Sequence, residues 1–371
     1  MTASGIIYIN GRFLTQSITG VQRFAFELVN ALDKLVVEDH PSVAGMTFKC
    51  LTPKTGILHQ PDWRSVQIEP VGQLAGNFWE QFDLPRVAAG NTLLSLCNSG
   101  PALYQNQFLI IHDASVYAIP EAYSFSFRVK NKLIYSTQSR LARHIITDSQ
   151  FSKKELIKYL ELPAERISVI YGGGHQLADT APDETLLIQN RLLDEPYLLT
   201  VGSNSKHKNV DLVIRALAQM SENLKLVIAG GSSANVFANK QQAVENDNII
   251  RLGYVDDGTL KALYSHAICL VFPSYYEGFG FPPLESMGCG CPVVSSNAAS
   301  LPEVVGDAGL YFDPTSVSEL VDKLEALMSN AKLRQQLIEA GHLQSRKFSW
   351  RDSALRFVSV IKGTADEKMG N

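Results

Sequence analysis

Two doubly wound α/β units in tandem, each a parallel sheet flanked by helices, are what this sequence predicts. Three observations carry the prediction. Short runs rich in β-branched residues alternate with longer amphipathic stretches. The alternation restarts once, after a glycine triplet. A chain of 371 residues, at about 100–200 residues per domain, has room for two hydrophobic cores.

In the first half the strand-like runs are GIIYI, FKCLT, NTLLSL, FLIIHD and HIITDS, with helical patterns in VQRFAFELVNALDKLV and FSKKELIKYLEL. The junction falls where Tyr171-Gly172-Gly173-Gly174 is followed by the acidic, proline-containing ADTAPDETLL, a composition suited to a hinge. The pattern resumes at Tyr197 with strands in YLLTVG, KLVIAG, NIIRLG, AICLVFPS and CPVVSS. Helices are predicted between them in VDLVIRALAQM, TLKALYSHA and PLESMG, then from about Val317 to Lys347 and from Trp350 to Lys362. The domains are therefore placed at 1–175 and 176–350.

Composition removes several function classes. With 33 Lys+Arg against 37 Asp+Glu, the formal net charge of −4 lacks the basic signature of a nucleic-acid binder. A hydrophobic fraction of 45% with 19% charged residues argues against disorder. No run of about 18 apolar residues suggests a membrane span, and MTASGIIYINGRFL lacks the pattern of a signal peptide. The five cysteines are scattered without CxxC spacing, which points to neither a disulfide framework nor zinc. The expected compartment is the cytoplasm, and no metal or other cofactor is expected.

The most informative segment is AICLVFPSYYEGFGFPPLESMGCGCPVVSS, from Ala267 to Ser296. A buried strand runs into a glycine-containing loop, and a short helix opens at Pro282-Pro283, where proline's missing N–H costs nothing. The helix N-terminus then faces the carboxyl edge of the sheet, where open α/β sheets bind ligands. Backbone N–H groups of Phe279 and Gly280 and the helix dipole suit phosphate oxygens there. Glu277 and Glu285, eight positions apart, suit sugar hydroxyls instead, because an ionised carboxylate accepts two hydrogen bonds and repels phosphate. The alternative, evenly balanced when each residue is taken singly, is that Glu285 complements the helix dipole and Glu277 caps a turn. Asp256 before TLKALY reads as a helix cap.

EGFGFPPLE resembles the E-x7-E signature of the family 4 glycosyltransferases, and the likeness runs almost continuously from Leu252 to Pro314 before thinning across the chain. The resemblance implies the GT-B fold, two Rossmann-like domains facing across a cleft, and transfer with retention of the anomeric configuration. It implies that Glu277 orients the donor sugar, that Glu285 holds the ribose hydroxyls, and that Gly278, Phe279, Gly280 and Phe281 contact sugar and phosphates. The loop VGSNSKHKN resembles the family's diphosphate-binding loop, with Lys208 matching its lysine. The family's arginine is missing: Ser203 follows the glycine and His207 precedes Lys208, leaving Lys206 or His207 as substitutes. The nucleotide base would be read largely by backbone near Leu252 to Val255, Tyr254 and Val255 among them.

In the first half, Gly20 precedes a helix and Arg23 lies in its first turn, where the dipole disfavours a cation unless an anion sits nearby. The segment is similar to the family's first loop, in which the glycine admits the donor phosphate. FLIIHDASV places His112 and Asp113 at a strand end; in similar enzymes the histidine touches the donor sugar and the acid faces the acceptor. The helix from about 351 to 365 is expected, as in similar enzymes, to return to the first domain. From Ala122 to Thr147 there is no acid, while Arg128, Lys130, Lys132, Arg140 and Arg143 interleave with Phe125, Phe127, Ile134 and Tyr135. Such a surface suits an anionic bilayer or a lipid-linked acceptor.

The resulting expectation is a metal-independent hexosyltransferase at the cytoplasmic face of the inner membrane. Its donor would be a UDP-, GDP- or dTDP-sugar and its acceptor a growing bacterial polysaccharide or lipid-linked glycan. A nucleotide-sugar 2-epimerase of the same fold, or an inert partner subunit of a polysaccharide enzyme, are the alternatives. A dehydrogenase is disfavoured because no GxGxxG follows a strand.

Overall fold

The computed structural model describes residues 5–174, 177, 179–203, 205–220, 224–231 and 247–363. These residues form two α/β units, one comprising 5–114, 129–172 and 350–363 and the other 115–128 with the described residues of 173–349. The segment 115–128, which the sequence places in the first half, thus groups with the second unit.

The first unit is built on β1 (Gly5–Asn10), β2 (Met46–Pro53), β3 (Gln67–Val71), β4 (Thr92–Ser95), β5 (Gln107–Ile110), β6 (His144–Thr147) and β7 (Ile167–Val169). They pair in the order β3-β2-β1-β4-β5-β6-β7, with every ladder parallel. The order reverses between β1 and β4, which makes that crevice the unit's topological switch point, the kind of place where open α/β sheets bind ligands. The helix Trp350–Lys362 packs within this unit. Trp350 meets Phe24 edge-on at 5.2 Å, and Arg356 Nε donates to the Val169 carbonyl at 2.8 Å.

The second unit holds β8 (Tyr197–Val201), β9 (Lys225–Ala229), β10 (Ile249–Gly253), β11 (Cys269–Phe272), β12 (Val293–Ser296) and β13 (Gly309–Phe312), ordered β10-β9-β8-β11-β12-β13 and again all parallel. Its switch point lies between β8 and β11. Alternate residues of these strands face opposite ways, so one sheet buries two cores. Leu198, Leu226, Ile228, Val271 and Val294 share one core with Leu212, Val213 and Ala216 of the helix Val210–Leu217. Tyr197, Leu199, Val227, Leu270 and Phe272 share the other with Leu260 and Leu263 of the helix Asp257–His266. Asp256 caps that helix by accepting from the Thr259 N–H at 2.8 Å.

Three strands went unread in the sequence: β3, β7 and β13, each at a sheet edge. The single helix predicted over Val317–Lys347 is two, Val317–Ser329 and Ala331–Ser345. Asn330 breaks it, accepting from the Leu333 N–H through its side chain to cap the second helix.

Candidate active site

The second unit's switch point gathers two loops. One leaves the carboxyl end of β8 as Gly202-Ser203; the other leaves β11 as Pro273-Ser274 and continues through Glu277 to the helix Phe281–Gly288. A small cleft between them is lined by Thr200, Gly202, Ser203, Lys208, Phe272 and Ser274. Gly202 adopts φ +152°, and a Cβ there would lie 3.5 Å from Lys208 Cδ, so the lysine stem lies directly against the glycine backbone.

Lys208 Nζ donates to Glu277 Oε1 at 2.6 Å and sits 5.4 Å above the Phe272 ring. Both side chains are mostly covered, at 18% and 13% exposure. The loop carrying Glu277 is fixed from behind, because the Ser300 hydroxyl donates to the Glu277 and Phe279 carbonyls at 3.0 and 2.7 Å. Phe279 is buried and packs edge-on against Phe281 and Phe348 at 5.1 and 5.8 Å. Gly280 has φ +114°, and a Cβ there would meet Leu301 Cδ2 at 2.9 Å. A side chain at Gly280 is therefore excluded twice, by backbone conformation and by space.

The helix opens at Phe281, with Gly280 as its N-cap, rather than at Pro282-Pro283. That start corrects the position of Glu285: it lies past the first turn, which contains no acid, so complementing the helix dipole is not its role. Glu285 is 4% exposed, with the Tyr264 hydroxyl 3.5 Å from its Oε2.

In the β8 loop, Ser203 Oγ lies 2.9 Å from Ser205 Oγ, and Lys206 is exposed. Burial, reinforced by the Lys208 cation, pushes His207 down to about 4. It is therefore neutral near pH 7 and does not replace the missing arginine charge, which leaves Lys206 as the loop's second cation. Tyr254, 68% exposed, and half-buried Val255 follow β10 at the far edge of the sheet, two strands from Lys208.

In the first unit, Gly20 is the first residue of the helix Gly20–Val37, not the residue before it. Thr19 and Gln22 close a capping box, which puts Arg23 one position beyond the N3 residue. His112 is 5% exposed. Its Nδ1 lies 3.0 Å from Asp148 Oδ2 and its Nε2 3.1 Å from the Leu96 carbonyl, while Phe24 packs edge-on against the ring at 5.0 Å. Both ring nitrogens are thus engaged inside the unit. Burial pushes Asp148 above the usual carboxylate range, and the His112 hydrogen bond opposes that shift. Asp113 follows, half-buried.

The sequence reading missed a polar cluster at the first unit's switch point. Glu80, 2% exposed, accepts from Asn10 Nδ2 at 2.8 Å, from Ser99 Oγ at 3.1 Å and from Arg12 Nε at 3.2 Å. Arg12 also donates to Ser99 and Asn77. Its only sequence signal was an arginine two residues past the first strand.

Comparison with known proteins places this geometry. Residues 184–344 match the family described as "Glycosyl transferases group 1". O-antigen chain mannosyltransferase B of Escherichia coli is 33% identical over 266 residues, covering 68% of each chain. O-antigen chain mannosyltransferase RfbU of Salmonella typhimurium is 31% identical over 215 residues, 57% of this chain and 58% of the relative. The crystal structure of Anabaena HepE in complex with UDP and glucose superimposes with a TM-score of 0.71 at 16% identity, covering 96% and 99% of the two chains. At that identity the likeness speaks for the fold, which is GT-B. A relative one-third identical over two-thirds of both chains, and a match spanning both loops of the second switch point, lead to one conclusion: the chain belongs to the glycosyl transferases group 1 family and is a glycosyltransferase.

Proposed function

We propose that the protein moves a hexose, with mannose the first to test, from a nucleoside diphosphate to a hydroxyl of a surface-polysaccharide glycan, with retention at the anomeric carbon and without a metal. The observation that carries this is the Lys208–Glu277 pair at the carboxyl ends of β8 and β11, beside the N-terminus of the helix Phe281–Gly288. A cation and a helix N-terminus suit a diphosphate, and a carboxylate suits sugar hydroxyls. The relatives' names supply the mannosyl group and the O-antigen acceptor, and the structural neighbour that binds UDP and glucose supplies the donor class.

In this reading the bond from the anomeric carbon to the phosphate oxygen breaks as the bond to the acceptor oxygen forms. Lys208 and the N–H groups of Phe279 and Gly280 stabilise the charge gathering on the departing diphosphate. The acceptor proton passes to a phosphate oxygen, and Glu277 holds the sugar in place. Glu285 takes the ribose hydroxyls, and backbone around Tyr254 and Val255 meets the base.

The first test is a thermal-shift screen of metal-free protein against UDP, GDP and dTDP with their sugars. A nucleotide at a hundred times its Kd stabilises by about 2.7 kcal/mol. The expected result is one preferred nucleotide whose shift falls in Lys208→Ala and Glu285→Ala. No shift from any nucleotide at millimolar concentration would overturn the donor site. Product anomers resolved by NMR then decide retention, an inverted product being the contrary outcome.

The same reading includes peripheral membrane contact. The helix Phe125–Leu141 exposes Phe125, Val129 and Leu133 at 71%, 50% and 70%, spaced four apart on one face. Exposed Lys130 and Arg140 and half-buried Arg128 and Lys132 lie on the same helix. Tyr135 is buried, so the proposed apolar contribution is that stripe. Among the described residues no helix is long and apolar enough to cross a membrane. The protein is expected to sediment with vesicles containing phosphatidylglycerol and to dissociate as salt rises. Retention of vesicle binding by Val129→Glu/Leu133→Glu would assign the contact elsewhere.

A further inference from the structure

We infer that Ser300, together with Ser296, is a positioning residue for the loop that leaves β11: its hydroxyl aims the Gly280 N–H at the donor's diphosphate. The inference rests on the donor-site reading above and names what holds that site's backbone in place.

Ser300 occupies the N-cap position of the helix Leu301–Val305. A serine there ordinarily accepts, through its side chain, from an N–H of its own helix's first turn. This helix does not require it. The Leu301 N–H goes to the Ala298 carbonyl at 3.2 Å, Pro302 has no N–H, and the Glu303 and Val304 N–H groups go to the Ser300 carbonyl at 3.0 and 3.2 Å. The buried hydroxyl instead donates to the carbonyls of Phe279 at 2.7 Å and Glu277 at 3.0 Å, 21 and 23 positions away.

Ser296, the last residue of β12, holds the same loop at its start. Its buried hydroxyl donates to the Ser274 carbonyl at 2.6 Å. The carbonyls of Ser274, Glu277 and Phe279 thus all accept from hydroxyls of β12 and the turn that follows it. Leu301, fully buried, adds a steric stop, since a Cβ on Gly280 would meet its Cδ2 at 2.9 Å. Between the two serines, Ala299 holds φ +57°. A non-glycine residue keeps that left-handed conformation only where its surroundings over-determine it.

The consequence for the donor follows from peptide geometry. In a trans peptide the carbonyl of one residue and the N–H of the next point in opposite directions. Holding the Phe279 carbonyl on Ser300 therefore turns the Gly280 N–H to the other side of the loop. Glu277 is anchored at both ends, by its carbonyl to Ser300 and by its carboxylate to Lys208. Donors aimed in advance stabilise developing charge because nothing has to reorganise as the bond breaks, and a misplacement of about 1 Å is enough to slow a reaction about 10²-fold.

The dipeptide Phe-Gly occurs once in the chain, at Phe279-Gly280. Protein labelled with carbonyl-¹³C phenylalanine and ¹⁵N glycine therefore gives a single HNCO cross-peak, that of the Gly280 N–H, which can be titrated with UDP, GDP and dTDP. Two variants are compared with wild type. Ser300→Ala removes the hydroxyl. Ser353→Ala removes a similar one from the first unit, where Ser353 donates to the Tyr171 carbonyl at 2.6 Å.

In wild type the Gly280 amide proton is expected to move downfield with the preferred nucleotide, as a hydrogen bond to a charged oxygen requires. At saturation the displacement should fall to less than about half in Ser300→Ala, because hydrogen bonds weaken steeply with misalignment. It should stay at wild-type size in Ser353→Ala, whatever either variant does to the melting temperature. An undiminished displacement in Ser300→Ala, or an equal fall in both variants, would overturn the positioning role. So would a Gly280 peak that stays in place although a nucleotide stabilises wild type, since the N–H would then not meet the diphosphate. No stabilisation of wild type by any of the three nucleotides would overturn the donor reading, and the positioning role with it.

Discussion

Replacing Lys208 with alanine is expected to slow glycosyl transfer by about 10²–10³-fold, the range seen when one preorganised donor to a developing anion is removed. The nucleoside-diphosphate thermal shift should be lost with it. Lys208 meets Glu277 at 2.6 Å, so the carboxylate neutralises the cation that the diphosphate needs. Glu277→Gln frees that cation while weakening the grip on the sugar. It should therefore bind the bare nucleoside diphosphate at least as well as wild type and still transfer poorly, a split that simple unfolding of the loop would not produce. Nucleotide titration beside steady-state kinetics on both variants checks this. Equal loss of nucleotide binding in the two variants would mean that Glu277 serves to position Lys208.

Removing the His112 side chain is expected to cost about 3–5 kcal/mol of stability near neutral pH, the range for breaking a buried ion pair from one side. The Asp148 carboxylate and the Leu96 carbonyl both accept hydrogen bonds, so their contacts with His112 need two protons. These are supplied either by an imidazolium beside a carboxylate or by a neutral ring beside a carboxylic acid. Without the ring, Asp148 is buried alone, and burial already holds it above the ordinary carboxylate range. A raised folded-state value means that folding favours the protonated acid. That stability is present below the unfolded carboxylate range and is lost as pH rises through the folded value. The penalty in His112→Ala should therefore shrink on acidification, and His112→Ala/Asp148→Ala should recover part of it. Urea unfolding at acidic and neutral pH measures both. Wild-type stability with abolished transfer would instead place a ring nitrogen of His112 at the reacting sugar.

Central strands such as AICLVF and YLLTVG are legible in the sequence because both faces are buried and the run is apolar throughout. The unread strands lie at sheet edges. β3 is QIEPV, with an acid and a proline; β7 is three residues long; β13 is GLYF. Edge positions tolerate proline and short length because one side of the strand makes no ladder. The segment from Glu277 to Glu285 was legible for a different reason. A glycine with positive φ before a proline-started helix is a local device, and only the helix start was misplaced, by one residue.

The sequence by itself determined the two parallel-sheet units, the glycine loops at the second switch point and the family. These are set by burial period and by backbone constraints acting over a few residues. Tertiary structure decided which groups meet. Lys208 finds Glu277 across 69 positions, His112 finds Asp148 across 36, and Asn10 finds Glu80 across 70. No local period encodes such pairs, because parallel strands with long crossovers bring their carboxyl ends together only once the sheet has formed. The same physics gave buried His112 its two partners, Asp148 and Leu96, and brought Arg12 to Glu80.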